Sequence, residues 1–256
     1  MYKIELPLFK KGSILKKEML ENLKNFPRDF SEIYYKDYGN GIISGCDISI
    51  DSFDIIISRG IIKQNNKLYI LDKDYKISYE NISNEVILKI IFLDERVDNS
   101  FSYFESKIEL STELSLAPNE LELCRFKMKE GARLRENHID FSDFSTEFNT
   151  LNLINTKYSS YSSHTLHPKI IKNFANFLLQ KSTDSEDYLF SMLCLNSNII
   201  QKEVLLQYIN KKLTLEEKDL SNSEIYKMLN KIYRNIKDGK KSEVIKKQRP
   251  NVILVD

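Results

Sequence analysis

The chain contains no tryptophan, and only 7 glycines, 5 prolines, 3 cysteines and 3 histidines among 256 residues. Each scarcity excludes something. The cysteines, Cys46, Cys124 and Cys194, are far apart, odd in number and set among apolar neighbours. They form no CxxC or other metal spacing and suit no disulfide framework, so they read as reduced core residues of a cytosolic protein. The few glycines make no GxxxxGK[ST] and no GxGxxG phosphate loop. Gly39, Gly41 and Gly45 precede strand-like runs instead of a helix N-terminus, which fits hairpin turns.

Histidine chemistry is equally sparse. His164 and His167 lie three apart in a Ser-rich stretch with no third ligand nearby, and His138 could join Cys124 only through folding. No GxSxG occurs, and no cysteine stands in a recognisable nucleophile setting. The net charge of +1 marks neither a nucleic-acid nor a membrane-surface protein. No window approaches 18 uncharged apolar residues. The opening Met1 to Pro7 is charged early and lacks the apolar core of a secretion signal. The expectation is therefore a non-enzyme with no cofactor, no metal, no small-molecule substrate and no nucleic-acid partner, made in the cytoplasm.

What is abundant is Ile, Asn, Lys, Ser and Tyr, a bias that suits an AT-rich coding genome as well as any physical demand. A chain this long can bury roughly 70–75% of its unfolded surface and needs no staple to fold. Ser13 is a candidate helix cap before Leu15, Met19, Leu20 and Leu23 at helical spacing, with Pro27 as a breaker. After the turn cluster Tyr38-Gly39-Asn40-Gly41, short β runs follow one another from Cys46 to Met128 with polar turns and no intervening amphipathic helix.

The order weakens over Gly131 to His164. Tyr158 to Ser163 alternates Tyr with Ser and reads as a linker, or else as a contact loop in which Tyr158 and Tyr161 would meet a partner or a carbohydrate. Beyond it the pattern is helical. Pro168 opens a helix with Ile170, Ile171, Phe174, Phe177 and Leu178 on its apolar face. A second begins at Asp184, with Tyr188, Leu189, Met192 and Leu193 as its apolar residues. A third carries Val204, Leu205, Leu206, Tyr208 and Ile209. Ser221 and Glu224 form a capping box for a fourth, which presents Ile225, Met228, Leu229, Ile232 and Ile236 and ends near Gly239. A basic stretch, Lys237 to Arg249, then leads to Val252, Ile253, Leu254 and Val255. This apolar run reads as an anchor that docks on its own domain or adds a strand to a neighbour.

The fold class expected is α+β: an N-terminal antiparallel β-sandwich or barrel, then a C-terminal helical bundle. The corresponding parts are a β-rich domain over 1–145 with a short N-terminal helix, a linker over 146–166, a bundle over 167–239 and a tail over 240–256.

Three stretches resemble a known family. Residues 8–23, LFKKGSILKKEMLENL, look like the opening of the type VI secretion TssK family, where a Gly-aliphatic stretch precedes a short helix. Residues 41–45, GIISG, and 58–62, SRGII, resemble a strand-turn-strand unit of phage-tail and baseplate proteins. Residues 113–126, ELSLAPNELELCRF, resemble the part of that family where the β domain closes. The resemblance implies a structural adaptor in the baseplate of a contractile phage-tail-like particle, a bacteriocin or prophage device more than a full secretion system. It implies other baseplate or tail proteins as partners, copies joined as a homo-oligomer (a trimer), and a place in an assembled particle. The alternative reading is a receptor- or carbohydrate-binding module of a tail fibre.

Overall fold

The computed structural model describes residues 3–80 and 84–239, so the anchor residues Val252, Ile253, Leu254 and Val255 lie outside the described residues. The architecture is α+β, with strands mostly in the N-terminal part and helices in the C-terminal part. Helix α1 (Lys17–Tyr34) comes first. Strands β1 (Gly41–Gly45), β2 (Ile48–Asp51), β3 (Asp54–Ile57), β4 (Gly60–Gln64), β5 (Lys67–Leu71), β6 (Tyr75–Ser78) and β7 (Val86–Phe92) follow. Then come β8 (Arg96–Val97), β9 (Ser102–Tyr103), β10 (Ser106–Ser111) and β11 (Glu120–Phe126). A short 3-10 turn (Phe141–Ser145) leads to β12 (Tyr158–Ser159) and β13 (His164–Thr165). Helices α2 (Pro168–Lys181), α3 (Ser185–Asn196), α4 (Lys202–Leu213) and α5 (Asn222–Lys237) complete the described chain.

Two differences from expectation concern α1. It begins at Lys17, past Ser13, and the residue before it makes no side-chain cap. It also runs through Pro27. Proline removes one helical N–H, and here Ser31 donates its hydroxyl to the Pro27 carbonyl at 2.7 Å. The loss is confined to one position and the helix continues.

The strands form separate small sheets, ordered β13-β12-β1-β4-β5, β10-β7-β11 and β2-β3-β6, with a β8-β9 ribbon. Strand β7 is apolar apart from Lys89 and is paired on both sides, as a strand covered on both faces should be. Its one cation, Lys89, is buried and meets Glu120 at 2.8 Å.

Among the described strands pairing is antiparallel except where β1 runs parallel to β12, with Ile42 opposite Tyr158; an isolated parallel bridge joins Arg135 and Thr150. The β1–β12 pair changes the domain picture. The segment 146–166 expected as a linker supplies two strands of a sheet and the buried residues Leu151, Leu153, Thr156, Tyr158 and Leu166. Its backbone lies so close to the turn at Gly39 and Gly41 that a Cβ on Gly39 would stand 2.3 Å from the Ser163 carbonyl oxygen. Gly41 needs glycine twice over: its φ is +145°, and a Cβ would stand 2.6 Å from the Lys157 carbonyl oxygen.

One core runs from the strands into the helices. Phe141, fully buried, packs against Phe174 and Tyr226, each 5.0 Å away between ring centroids, and against Tyr233 at 5.5 Å. Tyr226 donates its hydroxyl to the Phe141 carbonyl at 2.8 Å. Asn222 donates to the Thr156 carbonyl at 2.9 Å. The helical caps follow the sequence closely: Pro168 stands in the first turn of α2, Asp184 caps α3, and Ser221 and Glu224 form the capping box of α5.

Candidate functional site

The features that set this molecule apart are two helical faces turned outward. In α1 no residue is buried. The half-buried residues of the helix are mainly polar, Glu21, Asn22, Asn25 and Ser31, with Met19 the one apolar member. By contrast, Leu20, Leu23, Phe26, Phe30, Ile33 and Tyr34 are 50–68% exposed. This reverses the usual arrangement of an amphipathic helix on a core. The attachment to the body is polar too. Lys63 on β4 is buried, and its ammonium donates to the carbonyls of Tyr35 at 2.5 Å, Lys36 at 3.0 Å and Tyr38 at 2.6 Å. Burial lowers the Lys63 pKa. Before α1, Ile4, Leu6, Leu8, Phe9 and Ile14 are also exposed.

Helix α3 repeats the theme. Its four apolar residues named from the sequence, Tyr188, Leu189, Met192 and Leu193, all face outward. The buried face holds Asp187, Phe190, Ser191 and Cys194. Asp187 accepts from Tyr208 at 2.8 Å and from Ser182 at 2.5 Å, and pairs with Lys212 at 2.6 Å. A buried carboxylate with that many partners holds the helix in this rotation.

The residues singled out in the sequence have different fates. Tyr158 is buried and packs against the His167 ring at 4.7 Å between centroids. Burial raises its pKa. Tyr161 is half-exposed beside the turn at Tyr38, with which it forms a β-bridge. The structure thus separates the two tyrosines.

Titratable groups inside the fold serve structure. His167 accepts from the Lys169 N–H and caps α2, and burial pushes its pKa down to about 3. His138 stacks on Phe144 at 3.9 Å and meets the Leu151 carbonyl at 2.8 Å. Burial pushes the Cys46 and Cys194 thiols up to about 12, so neither supplies a thiolate near neutral pH. Among the described residues no group of His, Cys, Asp and Glu could hold a metal, and no helix is long and apolar enough to cross a membrane.

Two clefts remain. An apolar groove of about 550 Å³ opens between the sheets, lined by Ile62, Tyr69, Leu71, Ile90, Phe92 and Ile108. A polar cleft of about 490 Å³ lies where Arg125, Lys157, His164, Lys202 and Asn222 converge. Two of its cations are paired within it. Arg125 holds Glu122 by two hydrogen bonds, at 2.8 and 2.7 Å, and Lys202 pairs with Asp219. Burial, then Lys157 and Lys202, brings His164 down to about 4.

No family model matches the sequence, and no curated protein does. Among solved structures, the chain is similar to a crystal structure of TssK, with a TM-score of 0.43 and 11% identity, over 98% of this chain and 70% of that one. It is also similar to a chain of the type VI secretion system TssK-TssF-TssG baseplate subcomplex seen by electron cryomicroscopy, with a TM-score of 0.41 and 9% identity, over 91% of this chain and 100% of that one.

Proposed function

We propose that this protein is a non-enzymatic structural component of a contractile, phage-tail-like baseplate, linking wedge proteins to neighbouring copies or to a tail fibre. The observation that carries the reading is the outward apolar face of α3. Tyr188, Leu189, Met192 and Leu193 are contiguous along one side of a well-capped helix, and isolated proteins rarely leave such patches open unless a partner covers them. The TssK-like stretches at 8–23, 41–45, 58–62 and 113–126 supply the type of assembly. In this reading the strands form a sandwich-like shell that meets the wedge, the bundle meets its neighbours, and the protein works as a homo-oligomer, a trimer, inside the particle.

The test is co-expression with the products of adjacent genes, followed by light scattering of the purified material. A stable complex that is lost in Leu189→Glu and Met192→Glu, with unchanged thermal unfolding, supports the proposal. A chain that joins none of them overturns it.

A further inference from the structure

The apolar residues of α1 follow a pattern that a single helix on a globular body does not need. Met19, Leu23, Phe26, Phe30 and Ile33 are spaced four, three, four and three apart, the seam of a heptad. At 3.6 residues per turn they form one stripe, flanked by Leu20 and Tyr34. Every charged residue of α1, from Lys17 to Glu32, lies outside that stripe. From Leu23 onward the stripe points away from the body, since its residues are exposed while the half-buried residues of that stretch, Asn25 and Ser31, are polar; Met19 at its start is half-buried.

We propose that copies of this chain associate through α1, stripe against stripe. Two features favour a second copy over an unrelated partner. First, a heptad seam fits another helix with the same repeat, and an identical chain provides it in register. Second, with no charge on the stripe, identical faces meet without like-charge repulsion. The size is adequate. With about 150–250 Å² per aromatic side chain, the half-exposed Leu20, Leu23, Phe26, Phe30, Ile33 and Tyr34 present several hundred Å² of surface. That is the order of the ~800 Å² each partner gives to a stable interface. The inference deepens the assembly reading above by naming what covers one of its two faces, but it rests on α1 and not on α3.

Phe26 is the midpoint of the stripe, so it meets its own counterpart whether the helices run parallel or antiparallel. The full chain should sediment above monomer mass at micromolar concentration. Phe26→Glu combined with Phe30→Glu should return it to monomer with an unchanged melting curve, since α1 contributes no buried residue. Independently, Phe26→Cys treated with a short bismaleimide should give a covalent dimer. The native thiols Cys46, Cys124 and Cys194 are buried and give a low background. A wild-type chain that remains monomeric overturns the inference, and so does an oligomer that persists in the double glutamate variant with no cross-link at position 26. In either case the α3 interface could still be tested separately, because its variants are read in complexes with other proteins.

Discussion

Tyr208 donates its hydroxyl to Asp187 at 2.8 Å, and its ring stacks on Phe190 at 3.8 Å between centroids. Those two contacts fix the rotation of α3. Asp187 turns inward toward Tyr208, Ser182 and Lys212, and Tyr188 and Leu189, the next residues, are thereby carried to the outside. The exposed apolar face is the reverse side of a buried polar network.

Replacing Asp187 with alanine removes three partners at once. Lys212 retains Asp184 at 2.6 Å, so its charge is still compensated, but Tyr208 loses its acceptor. We expect a loss of about 3 kcal/mol, read from urea unfolding. A change under about 0.5 kcal/mol would show that the network does not hold the helix.

Phe174 is fully buried between Phe141, Phe190 and Tyr208. Phe174→Ala should cost about 3–5 kcal/mol. Phe177 is only partly buried, against Tyr233 at 4.2 Å, so Phe177→Ala should cost clearly less. Chemical denaturation of the pair measures the difference, and equal costs would contradict the packing described.

Acid should weaken the fold before its carboxylates titrate. His167 takes a proton near 6.5 when unfolded but only near 3 when folded, because burial opposes the charge. Between those values the unfolded chain binds more protons. Stability is therefore full above about 6.5 and falls as pH drops toward 3, by up to about 1.4 kcal/mol per pH unit for this residue. His164, lowered to about 4, acts in the same direction. His167→Asn keeps a capping side chain and should flatten the slope between pH 6.5 and 5 in unfolding curves. An unchanged slope would place the effect elsewhere.

Lys63 ties the end of α1 to β4 through three carbonyls. Lys63→Ala should release that joint at a cost of about 2 kcal/mol and make the bond after Lys36 a preferred tryptic site while the sheets persist. Digestion followed by mass spectrometry reads the result. A resistant Lys36 would mean that α1 is held by other contacts.

Much of the secondary structure was legible from sequence because it depends on neighbours along the chain. Proline at the start of α2, Asp184 ahead of α3 and the Ser221–Glu224 box each act within one helical turn. The β-branched runs and the Gly39–Gly41 turn likewise announce strands and a reversal. What the tertiary structure decided is which sides of the elements meet. Residues 146–166 look like a connector because Tyr and Ser favour turns, yet Tyr158 pairs with β1 and Leu151 enters the core through contacts with residues far away in sequence. The same holds for both outward faces. Periodicity locates an apolar stripe but not its direction. For α1 the direction follows from the polar anchor at Lys63, and for α3 from the carboxylate of Asp187, because burying a charge demands partners that only the folded chain assembles.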